Sequence, residues 1–307
     1  MRITLIHNPG AGSQGKGDAG KLVKLLRGAG HKVRYRSSKE DDWKDALKKP
    51  ADLVVIAGGD GTVGRVTRRM VGRGIPLALL PSGTANNVAR TLGLLERPVE
   101  ELVRGWESAR RVKLDMGIAR GPWGERYFLE GVGAGLFAHM LARPDKKAKQ
   151  ANKDKSPEGV VDGALRRLQD MTVHCEALEI AAALDGKDIS GRYLLFEAIN
   201  LRYVGPNMFL APDGKPGDGQ LDVVLVTEEE RVRLLEYLNK WQENRERLAV
   251  LPTRRGRRLQ MEWTGFELHI DDKLHPRKKA ESHEMCGIVE ARIQTEAVEF
   301  LVPGAKA

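Results

Sequence analysis

The rhythm of hydrophobic and polar positions changes once along this chain, near Val112. Before that point, short apolar runs alternate with segments whose apolar residues recur at helical spacing. Arg2–His7, His31–Ser37, Leu53–Ala57 and Pro76–Leu80 read as strands. Asp18–Arg27, with Leu22, Leu25 and Leu26 on one side, reads as a helix, as do Glu40–Lys48, Val63–Val71 and Ala85–Leu92. This alternation predicts an α/β domain with a doubly wound parallel sheet, in which ligands lie beyond the carboxyl ends of the strands. Past Val112 the strands follow one another: Val112–Ala119, Arg126–Glu130, Leu178–Leu184, Gly191–Asn200, Leu221–Val226, Gln260–Trp263, Glu267–Ile270 and Gly287–Gln294. Many alternate with period two, and Asp185-Gly186-Lys187 is a hairpin turn, which predicts an antiparallel β-sandwich interrupted by one long helix, Glu229–Leu248. The expected domains are 1–114, with 296–307 packing back on it, and 115–295.

Composition narrows the class. With 41% hydrophobic and 30% charged residues in 307, the chain can bury a core and is not disordered, apart from 146–158, whose composition suits a mobile segment. No apolar run is long enough to span a bilayer, and Met1–Asn8 reads as a strand, not a signal peptide, so the expected location is cytoplasmic. Cys175 and Cys286 are too few for a disulfide framework; with His174 and His283 they make a poor zinc template. A net charge of +9 calls for an anionic partner. The basic clusters Arg143–Lys155, Arg254–Arg258 and Arg277–Lys279 carry no interleaved aromatics, which argues against nucleic acid and leaves solvated surface or an anionic membrane.

The chemistry gathers at the ends of the first-half strands. Gly58-Gly59-Asp60-Gly61-Thr62 joins a strand to a helix, and its glycines let backbone N–H groups close on a phosphate at the helix N-terminus. The plain alternative is a β-turn. An aspartate amid such donors suggests Mg²⁺ bridging Asp60 and phosphate oxygens. Asn8-Pro9-Gly10-Ala11-Gly12-Ser13 and Pro81-Ser82-Gly83-Thr84-Ala85-Asn86-Asn87 end neighbouring strands in the same way.

Those loops, with Gly131-x-Gly133-x-Gly135 and Ala211-Pro212-Asp213-x(4)-Asp218-Gly219-x-Leu221-Asp222, resemble the diacylglycerol kinase catalytic-domain family, which includes bacterial lipid kinases and sphingosine and ceramide kinases. The resemblance runs through nearly the whole chain, in order. It implies ATP and Mg²⁺ as cofactors and a lipid hydroxyl, first of all that of diacylglycerol, as phosphoryl acceptor. It implies that Asn8, Pro9, Gly10, Ala11 and Gly12 contact the nucleotide, Gly59, Asp60, Gly61 and Thr62 its phosphates, and Thr84 and Ser37 (or Ser38) the nucleotide from neighbouring strands. Asn87 joins this set as a hydrogen-bonding amide that cannot serve as a base. A structural Mg²⁺ maps to Asp218 with the carbonyls of Lys215 and Gln220, against the plain alternative of a turn. The catalytic base maps to Asp271, although Asp272 and Lys273 replace the glycine and glutamate of the family turn. Arg65 stands where relatives carry a glutamate, a cation that could grip phosphate directly. The expected partner is a lipid at an anionic inner-membrane surface, reached transiently and without nucleic acid, with a homodimer left open. An NAD kinase and a non-catalytic nucleotide- or surface-binding protein are the rivals.

Overall fold

The computed structural model describes residues 1–11, 18–144, 156–244, 250–275 and 286–304. Gly12, the Lys146–Lys155 loop, Arg277–Lys279 and His283 lie outside the described residues. The chain forms two compact units, 1–114 with 296–307, and 115–295.

In the first unit β1 (Arg2–His7), α1 (Ala19–Gly28), β2 (Lys32–Ser37), α2 (Trp43–Lys48), β3 (Leu53–Gly58), α3 (Asp60–Met70), β4 (Leu77–Pro81), α4 (Asn87–Thr91) and α5 (Val99–Arg104) follow in order. The strands pair in parallel as β2-β1-β3-β4. Every residue of β3 is buried, as expected of a strand covered on both faces, and this is why its sequence is a continuous apolar run rather than an alternation. Asp18 caps α1 by accepting from the N–H groups of Gly20 and Lys21. Because the strands run parallel, their carboxyl ends and the loops that follow gather at one edge of this sheet.

The chain leaves this unit within β5 (Arg110–Gly121) and returns within β17 (Gly287–Val302), where Phe300 pairs in parallel with Leu77. Between them come β6 (Gly124–Phe128), β7 (Gly131–Gly135), α6 (Leu136–Ala142), α7 (Pro157–His174), β8 (Leu178–Ile180), β9 (Ala182–Leu184) and β10 (Lys187–Asp188). Then follow β11 (Gly191–Ile199), β12 (Leu221–Thr227), α8 (Arg231–Asn244), β13 (Thr253–Gly256), β14 (Arg258–Trp263), β15 (Leu268–Ile270) and β16 (Lys273–His275).

One sheet of the second unit runs β13-β12-β11-β7-β15-β16, antiparallel throughout. The other includes β10-β9-β14-β17 and the β5–β6 pair. Strand alternation divides the core: Phe196 and Ala198 join Phe128, Met261 and Trp263 in one cluster, while Leu195 and Ile199 face Leu165, Tyr237 and Trp241 of the helices in another. The α/β-plus-sandwich class therefore stands.

Local differences have local causes. The segment Leu178–Leu184 is two strands, one pairing with β11 and the other with β14. Gly131–Gly135 is a buried central strand, invisible to strand propensity because glycine has none. Two helices escaped the sequence reading: α6 has only seven residues, too few for a helical period to show, and α7 carries a narrow stripe of Val161, Leu165, Leu168 and Thr172 just after a lysine-rich stretch. Asp185 and Gly186 both take positive φ, as the tight hairpin requires.

Candidate active site

The phosphate-binding features lie in the first unit. Thr62 is buried in the first turn of α3, and its hydroxyl receives Asn8 Nδ2 at 3.1 Å, tying the loop after β1 to the loop after β3. Asn8 also accepts from Gly10 N–H at 3.1 Å through its side chain, and from Ala11 N–H at 3.1 Å through its carbonyl. A Cβ on Gly10 would lie 3.4 Å from Lys39 Nζ, which brings this ammonium to the first loop. Lys39 was missed in the sequence; its signal is its place directly after Ser37-Ser38 at the end of β2. Ser37 is buried and its hydroxyl accepts the Lys39 N–H at 3.2 Å, so it shapes the turn that carries the lysine.

The second and third loops interlock. A Cβ on Gly83 would fall 2.3 Å from Gly59 Cα, and one on Gly59 would fall 2.8 Å from Gly83 Cα, so the two backbones touch directly. Asn86, at φ 53°, accepts from Gly83 N–H at 2.9 Å and donates to Gly83 O at 2.8 Å. Asn87 opens α4 and is buried, and Thr84 is half-buried within the loop.

Asp60 is the first residue of α3, where negative charge suits the helix dipole. Its Oδ1 also accepts the Val88 N–H of α4 at 3.1 Å. Burial raises its carboxyl pKa, and the N–H groups of Val88, Asn87 and Asn86 offset only part of that rise. The carboxylate therefore has partners that explain its position without a cation, and it has a folding role that its Gly-rich setting concealed. Arg65 donates through Nε to Gly61 O at 3.2 Å, with a second nitrogen 3.5 Å from Thr62 Oγ1. Arg65 and Arg69 stack over Trp43 at 5.8 and 4.9 Å from the ring centroid.

The other expected residues belong to the second unit. Asp271 takes φ 49°, and its Oδ1 accepts N–H groups from Leu129, Glu130 and Gly131 at 3.1, 2.8 and 3.3 Å. Its own N–H donates to Gly131 O at 2.8 Å. Glu197 and His269, both buried, bond to each other beside this turn. Glu197 was missed, and a glutamate inside the apolar run Tyr193–Ile199 was the available signal.

The structural Mg²⁺ site does not fit its residues. Asp218 Oδ1 accepts the Gln220 N–H at 3.1 Å, and Oδ2 pairs with the Arg255 guanidinium, which also holds Asp222 at 3.1 Å through Nε. The Lys215 carbonyl receives the Asp218 N–H at 3.1 Å. Arg255 thus supplies the positive charge that a divalent cation would bring, and a metal would have to displace it. Its signal, an arginine facing Asp222 across β12 and β13, is visible only once the strands are in register. Cys175 packs against His139 Nδ1 at 3.3 Å and Cys286 is exposed.

Comparison with known proteins follows the two units. Residues 2–118 match the diacylglycerol kinase catalytic domain, and 145–271 match the YegS C-terminal NAD kinase beta sandwich-like domain. The chain is 25% identical over 259 residues to a diacylglycerol kinase of Mycobacterium tuberculosis, covering 81% of this chain and 77% of that protein. It is 28% identical over 243 residues to a probable lipid kinase YegS-like protein of Pseudomonas aeruginosa, covering 76% and 74%. A crystal structure of a diacylglycerol kinase from Bacillus anthracis shares the fold, with a TM-score of 0.72 at 20% identity over 98% of this chain and 96% of that one.

Proposed function

Since this chain belongs to the diacylglycerol kinase catalytic-domain family and is a phosphotransferase with an alcohol acceptor, we propose that it moves the γ-phosphoryl group of ATP, with Mg²⁺, onto a lipid hydroxyl, diacylglycerol first. The observation that carries the reading is the direct backbone contact of Gly59 with Gly83, which makes one continuous surface of two glycine loops. Such a surface lets main-chain N–H groups approach phosphate oxygens where a side chain would block them.

Around it the roles divide by chemistry. Lys39 and Arg65 supply positive charge to the polyphosphate, and Asn8 orients the Thr62 hydroxyl toward it. Asp60 holds the α3 and α4 N-termini together, so both dipoles act on the same anion. Mg²⁺ arriving with ATP would neutralise charge that develops on the transferred group. Asp271 is the group proposed to accept the proton of the lipid hydroxyl, and its nest of N–H donors fixes the carboxylate for that task. The lipid would be met by transient adsorption of the basic chain to an anionic surface.

Incubation with labelled ATP and a panel of diacylglycerol, phosphatidylglycerol, sphingosine and NAD tests the reading. Label in a lipid supports it; label in NAD alone would transfer the chain to the nucleotide-kinase rival, and label in none would favour the non-catalytic one.

A further inference from the structure

Gly133 in β7 stands in register with Glu197 of β11 on one side and His269 of β15 on the other. With no side chain between them, the two residues meet across the intervening strand, His269 Nε2 lying 2.9 Å from Oε1 and 2.8 Å from Oε2 of Glu197. A Cβ at Gly133 would reach within 2.1 Å of Glu197 Oε2, so glycine alone leaves room for the pair. Both side chains are buried, at 0% and 6% exposure, in a sheet whose neighbouring positions are apolar.

The second imidazole nitrogen, Nδ1, lies 3.0 Å from the main-chain oxygen of Asp271. A carbonyl oxygen can only accept, so Nδ1 carries a proton. Nε2 and the Glu197 carboxylate then share one further proton, since two bare acceptors at this distance would repel each other. Among the described residues, the charged groups facing the imidazole are Glu197 and Asp271. Strand β12 sets Val224 beside Glu197, and α6 presents the edge of Phe137, centroid to centroid 6.3 Å from His269. A short line of contacts therefore runs from a buried carboxylate through an imidazole to the backbone of Asp271, whose φ of 49° is the left-handed conformation that aspartate tolerates in the turn between β15 and β16.

We propose that Glu197 and His269 are positioning residues for phosphoryl transfer, a buried dyad across Gly133 that fixes the Asp271 turn through its carbonyl oxygen while the shared proton is in place. This rests on the reading of Asp271 as the base. Loss of the shared proton at high pH opposes the Glu197 carboxylate to a bare Nε2 lone pair, which releases the turn. A glutamine at 197 behaves differently: its amide N–H donates to neutral Nε2, so the contact persists with no proton to lose.

The test combines kinetics with observation of the imidazole. Glu197→Ala is expected to lower kcat by about 100-fold through misplacement of Asp271, with KM for ATP changed by no more than about 3-fold. Glu197→Gln should recover most of that kcat at neutral pH and abolish the alkaline fall expected of the wild type. Nitrogen-15 NMR of wild-type His269 should show Nδ1 protonated across the whole range and Nε2 protonated until that fall. A folded Glu197→Ala enzyme with unchanged kcat, a Gln variant that keeps the wild-type alkaline limb, or an imidazole unprotonated at Nδ1 overturns the proposal. If Glu197→Ala does not fold, the Gln profile and the NMR decide. Failure of the underlying reading shows differently: either the wild type phosphorylates no lipid, or Asp271→Asn retains full activity.

Discussion

Gly59 and Gly83 face each other with no room for a single methyl group, a Cβ on Gly83 lying 2.3 Å from the Cα of its neighbour. The nearest obstructing atoms are backbone on both sides, with Asn86 Oδ1 also 2.7 Å from a Cβ on Gly83, so relief requires the loops to move apart. Gly83→Ala is expected to cost about 1–3 kcal/mol of stability, the usual range for overpacking, and to weaken ATP binding at least about tenfold by separating the N–H groups of the two loops. Urea denaturation and calorimetric titration with ATP would check this. Wild-type ATP affinity in the variant would show that the two loops do not act as one phosphate surface.

Asp60 tests the difference between a charge and a cap. Asp60→Asn keeps an oxygen for the Val88 N–H and should hold the melting temperature within a few degrees, whereas Asp60→Ala loses the cap as well, about 1 kcal/mol. Both should lose about 100-fold or more in turnover if the negative charge contributes to transfer. Equal activity of Asn and wild-type proteins would confine this residue to folding.

Asp218 and Arg255 carry an opposite expectation to that of a structural metal. With the Asp218 carboxylate already paired, EDTA should leave the melting temperature of the nucleotide-free protein unchanged. Arg255→Ala should destabilise by only about 1 kcal/mol, because the guanidinium is partly exposed and solvent screens the pair. Added Mg²⁺ should stabilise that variant and not the wild type. A chelator-induced drop in wild-type melting would restore the metal to this loop.

Glu197 and His269 give stability a pH dependence whose sign follows from burial. Burial pushes the Glu197 pKa up; for His269 burial opposes the charge, but Glu197 beside it prevails and the net shift is upward. The folded pair therefore keeps a proton that the unfolded chain releases above about pH 6.5, the ordinary histidine value. The resulting stability is full below that pH and is lost as pH rises through the folded-state value, at no more than about 1.4 kcal/mol per pH unit for one proton. Urea midpoints from pH 6 to 10 should fall for the wild type and flatten for Glu197→Gln. A wild-type midpoint that rises over this range would contradict the assignment.

The α/β class and the phosphate loops were legible because glycine punctuation and apolar period are local properties of sequence. Gly58–Thr62 and Pro81–Asn87 announced themselves as loops, but their mutual contact did not, since no periodicity encodes which glycines meet. The bond between Asp60 and Val88 crosses 28 positions and needs two helices brought side by side. The pairing of Glu197 with His269 needs three strands in register, and the Arg255 bridge needs β12 beside β13. Glu197 did leave a trace as a lone acid in an apolar strand, a pattern that calls for a buried partner without naming it.

Label followed from [γ-³²P]ATP into diacylglycerol dispersed in anionic mixed micelles, with Mg²⁺ present, for the wild type beside Asp271→Asn, decides whether this chain phosphorylates a lipid through Asp271. Labelled phosphatidic acid is expected from the wild type, with a loss of at least about 100-fold in the variant, the scale of a missing general base. Labelled lipid formed equally by both would remove Asp271 from the mechanism, and no labelled lipid from the wild type with any acceptor would contradict lipid phosphorylation itself.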